Sequence, residues 1–326
     1  MLKRGNINAF EEIVSRGKLF FSKAGESLEK ANKMKSWPAY EKEAEKADDF
    51  LAKALEEFNK AIEIDPNIAE LYLLRKKSRV GMDDFTGDLS TAISLDPCCA
   101  EAFYLYGRSL LSADPVADVQ AIEYFSKAIE LDPAYSDAYC WRGKALICAG
   151  RNEDALADLS KAVEIDHDHL EALSARGILF EESGRLDLAV LDFSKKIEIT
   201  LETIEVWKSY MNRGNVYAEL GDFENALADY DKALESDPDD MGIIFLNKGL
   251  LYAKENCLDQ AIECYTQSID VSCTCDPFIY YLRAHAYARR MEYDRSWEDV
   301  HKVIFLKGDI DPEFLEYLKK ASGRTK

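Results

Sequence analysis

AYSDAYCWRGKALICAGRNEDALADLSKAVEIDH, residues 134–167, is the stretch whose reading decides the fold. Its first half is apolar and aromatic around Gly143. It breaks at Gly150-Arg151-Asn152, resumes an apolar stripe at Ala155, Leu159 and Ala162, and ends on an acidic stop at Asp166. Two stripes at helical spacing with a glycine between them predict a helix pair joined by a tight turn. Glycine suits the break because the turn requires a positive φ.

Working outward, the same design recurs. Small residues mark the middle of each first helix at Gly17, Gly107, Gly143, Gly177, Gly214, Gly249 and Ala284, with Lys76 in the second copy. A second small residue follows twelve positions later at Ala155, Ala189, Ala226, Ala261 and Ser296. A large residue stands four beyond that, at Leu159, Phe193, Tyr230, Tyr265 and Val300. The copies end on Asp65-Pro66, Asp96-Pro97, Asp132-Pro133, Asp166-His167 and Asp237-Pro238. Small residues belong where two helices cross closely, and large ones fill the gaps between neighbouring pairs. The terminal prolines stop the second helix.

These segments resemble the tetratricopeptide repeat (TPR), most fully at Tyr210, Arg213-Gly214, Tyr217, Gly221, Ala226, Tyr230, Ala233 and Pro238. The resemblance covers nearly the whole chain. It implies an all-α fold, a right-handed superhelical α-solenoid of about eight TPR helix pairs plus a C-terminal capping helix. No single pair can bury its own apolar face, so the copies must stack.

Departures from the repeat set the expected divisions. Residues 1–66 form an N-terminal repeat with lengthened helices, at 8–34 and 37–63, broken at Ser36-Trp37-Pro38. Residues 67–97 form a short irregular repeat with its turn over Gly81–Gly87 and Phe85 in place of alanine. Residues 98–308 hold six units, with extra residues at Ala113-Asp114-Pro115 and at Thr200–Thr203. Residues 309–326 are a capping helix and tail, opening at Asp311-Pro312.

A net charge of -20 disfavours nucleic-acid backbones and anionic membranes and suits a basic or apolar partner segment. No stretch has the length of a membrane helix, and the opening MLKRGNINAFEEI lacks the apolar core of a signal peptide, so the chain is read as cytoplasmic. The eight cysteines are then read as free thiols. Four of them, between Cys257 and Cys275, lack paired ligand spacing, and His167-Asp168-His169 is read as a solvated turn. With no phosphate loop, nucleophile elbow or acid–base set, the chain is expected to be non-catalytic and to need no cofactor or metal.

One correlation inside the repeats predicts a contact. Arginine precedes the marker where an acid lies three beyond the second-helix marker: Arg16 with Glu57, Arg75 with Asp88, Arg142 with Asp158, Arg176 with Asp192, Arg213 with Asp229 and Arg283 with Asp299. Two copies lack both members, holding Tyr106 with Tyr124 and Lys248 with Cys264. A partly buried ion pair between the two helices of one repeat explains this, the planar guanidinium matching a carboxylate.

In the family, positions six, three and two before the marker and one, four and five after it line the concave face. The resemblance therefore implies a partner-binding set of Tyr104, Leu105, Trp141, Lys144, Lys208, Asn212, Asn215, Asn247 and Tyr281. Trp141 either anchors a partner or packs on the neighbouring repeat. Asn212 and Asn247 share one register position, from which amides can hold an extended backbone. The set by which family members bind acidic C-terminal tails is absent, because Met211, Ile243 and Phe278 stand where lysine is required. The expected function is a scaffold or adaptor binding a protein or peptide in the groove. The alternative is a structural subunit docking by its edges or convex face.

Overall fold

The computed structural model describes residues 4–32, 37–79, 86–111, 115–201, 203, 206–236, 238, 240–272 and 276–324. Among them are seventeen helices and no strand. They fall into two compact units, Met1–Ile204 and Glu205–Lys326. Within each unit a helix packs chiefly on the helices next to it in sequence.

The first unit holds α1 (Arg4–Asn32), α2 (Trp37–Ile64), α3 (Ala69–Lys77), α4 (Thr86–Leu95), α5 (Ala100–Leu110), α6 (Pro115–Leu131), α7 (Ser136–Cys148), α8 (Asn152–Ile165), α9 (Leu170–Glu182) and α10 (Leu186–Thr200). The lengthened first pair is present, and α2 carries Pro38 in its first turn, where no intrahelical N–H bond is lost. Most of the turn expected at Gly81–Gly87 lies outside the described residues, as do Ala113 and Asp114.

The second unit holds α11 (Val206–Leu220), α12 (Phe223–Glu235), α13 (Met241–Lys254), α14 (Leu258–Val271), α15 (Pro277–Arg289), α16 (Tyr293–Phe305) and α17 (Pro312–Ser322). The capping helix expected after Asp311 is α17. Asp311 caps it by accepting the Glu313 N–H at 2.9 Å. Phe314 and Leu318 cover Ala284, Ala288, Trp297 and Val300, and the Trp297 indole donates to Ser322 Oγ at 3.0 Å.

The marker glycines are close-approach positions. A Cβ on Gly143 would stand 2.9 Å from Leu159, on Gly177 2.9 Å from Phe193, and on Gly249 2.5 Å from Tyr265. Each of these partners is the large residue sixteen positions on, fully buried. Burying such a side chain contributes about 1.5–3 kcal/mol, and the close crossing makes the burial complete.

There is no single core. Phe58 packs with Ala54, Ala61 and Leu71, Phe125 with Tyr104, Ala128 and Ala138, and Leu159 with Cys140, Ala172 and Leu179. In the second unit Tyr265 packs with Ala261, Ile279 and Ala286. Each cluster joins one helix pair to the next.

The stop between pairs belongs to the aspartate more than to the proline. Asp65, Asp96, Asp132 and Asp166 each accept the backbone N–H two residues on through Oδ1, at 3.0–3.1 Å. This Asx turn forms equally in front of His167, which explains why that copy dispenses with proline. The expectation of a solvated His-Asp-His turn is therefore corrected in part. His167 and Asp168 are exposed, but His169 is buried and its Nδ1 accepts the Ala172 N–H at 3.4 Å as the cap of α9.

Candidate partner-binding face

The predicted ion pairs are all present. Arg142 meets Asp158 through Nε at 2.6 Å and Nη2 at 2.7 Å, and Arg176 meets Asp192 at 2.8 and 2.7 Å. Arg213 meets Asp229 at 2.7 and 2.8 Å, and Arg283 meets Asp299 at 2.8 Å twice. Arg75 donates to Asp88 at 2.9 Å, and Arg16 to Glu57 at 3.0 Å. Bonding to Asp158 holds the Arg142 guanidinium above its usual range.

The free Nη1 reaches further than sequence spacing foretold. Arg75 reaches Asn59 at 3.1 Å, Arg142 reaches Ser126 at 3.1 Å, and Arg283 reaches Thr266 at 2.9 Å, each on the preceding repeat's second helix. One guanidinium thus ties three helices and is not offered to a ligand. Where the pair is missing, Tyr106 stacks on Tyr124 with centroids 4.3 Å apart. Lys248 turns instead to Asp231 at 2.5 Å.

On the first-helix face of the first unit a second ladder appears. In three copies the residue after the marker is a lysine that pairs with an acid six before the next marker: Lys18 with Glu70 at 2.7 Å, Lys77 with Glu101, and Lys144 with Glu171 at 3.0 Å. These rungs were readable as an alternation of signs one repeat apart, but only the stacking brings them together.

Between two such positions lies Trp141, half-buried. Arg108 sits 4.3 Å above its ring and Lys144 4.1 Å from its centroid, so both cations use the π face. Leu105 is half-buried at the junction of two core clusters. Tyr104, expected to present its ring to a partner, is buried. Its ring lies 4.9 Å from Tyr135 and 6.2 Å from Phe125, and burial pushes its hydroxyl up to about 12. The reason is its register: it fills the gap between α5 and α6 against the next pair.

In the second unit the face changes character. Asn247 Nδ2 donates to Asn215 Oδ1 at 3.0 Å, and the same oxygen accepts Tyr230 O–H at 2.8 Å. The amide contact therefore joins the position after one marker to the position two before the next. Asn212 is half-buried and makes no side-chain hydrogen bond among the described residues. Beside the pair opens a cavity of about 230 Å³ whose lining includes Asn215, Glu219, Tyr230, Asn247, Leu250 and Lys254. Lys208 lies over the Trp207 ring at 5.6 Å. Tyr281 is half-buried, edge-on to His285 at 4.6 Å and to Phe314 at 5.8 Å.

The six described cysteines are free thiols, and burial pushes Cys140 up to about 12 and Cys264 to about 11, far from nucleophilic range. Among the described residues no group of His, Cys, Asp and Glu could hold a metal ion, and no helix is long and apolar enough to cross a membrane. Cys273 and Cys275 lie outside the described residues.

Helix pairs stacked through close-crossing glycines, with side chains displayed along the first helices, define a class of repeat scaffold. Family profiles described as tetratricopeptide repeat match residues 124–157, 142–197, 207–240 and 244–272. The chain is a tetratricopeptide repeat protein, and this repeat is a protein-interaction scaffold. Among solved structures, YrrB, described as a TPR protein with an unusual peptide-binding site, is 20% identical with a TM-score of 0.51 over 61% of this chain and 97% of its own. Cut9-Hcn1 of the APC/C is 18% identical with a TM-score of 0.57 over 83% of this chain and 52% of that one. Pseudomonas aeruginosa PilF is 19% identical with a TM-score of 0.55 over 70% of this chain and 99% of that one. At these identities the likeness is one of fold. No curated protein sequence matches the chain.

Proposed function

We propose that the protein is a non-catalytic adaptor that holds a peptide or helix of a partner protein on the face formed by its first helices. The observation that carries this reading is that the face keeps apolar surface open to solvent. Ile243, Leu250 and Phe278 are 40%, 39% and 51% exposed there, and Trp141 is half-exposed. Leaving such side chains in water forgoes burial worth about 1.5–3 kcal/mol each, which a bound segment would recover. In the first unit Leu105, Trp141 and Lys144 are assigned to this face, with buried Tyr104 beneath them, and in the second unit Lys208, Asn212, Asn215, Asn247 and Tyr281.

A second reading, docking by the outer surface, is favoured by Leu188 and Leu191 on α10, 42% and 64% exposed and one turn apart. Affinity capture with mass spectrometry separates the two. Partners lost with Trp141→Ala or Asn247→Ala but retained with Leu191→Ser support the groove. The reverse pattern transfers the function to the outer surface.

A further inference from the structure

The two units treat one register position differently. In three copies of the first, the residue after the marker is a lysine bound to an acid six before the next marker, as Lys18–Glu70, Lys77–Glu101 and Lys144–Glu171 show, while Arg108 and Ile178 hold that position in the other two. In the second unit the corresponding positions hold no such ion pair: Leu250, one after Gly249, and Phe278, six before Ala284, are both exposed, as is Ile243, six before Gly249. Asn215, one after Gly214, is bonded to Asn247. Where three copies of the first unit carry a charged rung, the second unit carries exposed aliphatic and aromatic side chains and amides.

Ile243, Asn247, Leu250 and Lys254 follow one another at helical spacing and form a single stripe along α13. Three of the four line the cavity of about 230 Å³, which is below the size of a drug-like pocket and suits one side chain. Local charge is the reverse of the chain's total of -20. The face positions of this unit carry Lys208, Lys254 and Arg289 against Glu219 alone. Lys254 is exposed and spends one N–H on the Ala218 carbonyl at 2.8 Å, leaving two donors. Salt screens the distant acids beyond about 8–10 Å, so contact charges decide what docks.

Resting on the groove reading above, we propose that the seat is in the second unit, and that its occupant is an extended partner segment carrying a bulky apolar residue and a carboxylate. The apolar side chain enters the cavity against Leu250 and Leu251. Asn247, with Oδ1 and one Nδ2 hydrogen unspent, holds the segment's backbone. The carboxylate meets Lys254. Leu250 and Lys254 are one helical turn apart, about 6 Å, which an extended chain spans in about two residues. The recognised pattern is therefore an apolar residue with Asp or Glu two positions away. This reverses the basic partner that net charge suggested.

The test uses the intact protein to select octapeptides from a random library displayed on phage, followed by fluorescence anisotropy with the synthetic form of the most enriched peptide. The expected peptides carry the apolar–carboxylate pattern. Leu250→Asp, at an exposed position that folding tolerates, weakens binding about tenfold or more. Lys254→Gln, which preserves a donor for the Ala218 carbonyl, abolishes the preference for Asp over Asn in the peptide. Leu191→Ser, on the outer surface of the first unit, leaves affinity unchanged. Enrichment of basic peptides, or binding that depends on Trp141 and not on Leu250, overturns this assignment while the groove reading survives. Failure to enrich any peptide overturns both.

Discussion

Removing the Asp192 carboxylate is the most exacting perturbation of the repeat. Asp192 is 5% exposed and receives two charge-assisted bonds from Arg176, at 2.8 and 2.7 Å. The arginine side chain is 18% exposed, so it cannot swing fully into water while its stem packs beside Gly177. Asp192→Ala leaves that guanidinium without its counter-ion next to the crossing between α9 and α10. Breaking a buried pair from one side costs about 3–5 kcal/mol, and the residual exposure of Arg176 places this one near the lower end. For a unit of this size about 3 kcal/mol corresponds to a melting temperature lower by about 6–12 °C. Because coupling in stacked repeats is between neighbours, amide exchange should quicken first in α9 and α10. The double change Arg176→Met with Asp192→Leu, which removes both charges and keeps the volume, should recover most of the loss. The reasoning is refuted by an Asp192→Ala protein that melts and exchanges like the parent, or by a double variant no better than the single one.

Three further outcomes follow from the same geometry. Gly249→Ala puts a methyl 2.5 Å from the ring of Tyr265, which is 1% exposed and has nowhere to move, so thermal melting should show destabilisation of about 1–3 kcal/mol. Met291 holds φ 63° at the position where Gly221 holds 77°, and its side chain is 75% exposed. Met291→Gly should therefore raise stability by about 1 kcal/mol in a denaturant titration, and a loss would contradict the strain. His285 stacks on Phe314 at 3.6 Å, its Nε2 is buried without a hydrogen-bond partner, and burial lowers its pKa below 6.5. Below pH 6.5 the unfolded chain then binds the proton more readily than the folded one. Stability is thus fully present above that pH and falls as acid is added, and His285→Phe should flatten this part of the melting profile between pH 7.5 and 5.5.

Much of this architecture was legible along the chain. Repetition at a fixed period requires that each helix pair meet the same surroundings, so a residue type recurring at one position reports one contact. That is why the glycine crossings, the six arginine–carboxylate pairs, the lengthened first pair and the helix opened by Asp311 could all be read before any coordinates. Within one repeat the sequence determined the structure, because the interacting positions lie twelve to sixteen residues apart on two helices whose phase the pattern fixes. What passes between repeats was decided only in three dimensions. The rotation from one pair to the next sets which side chains meet, and periodicity does not specify it. It buried Tyr104, laid Arg108 and Lys144 on Trp141, bonded Asn247 to Asn215, and turned His169 into a helix cap. In three copies of the first unit it also brought the lysine after one marker to the acid six before the next.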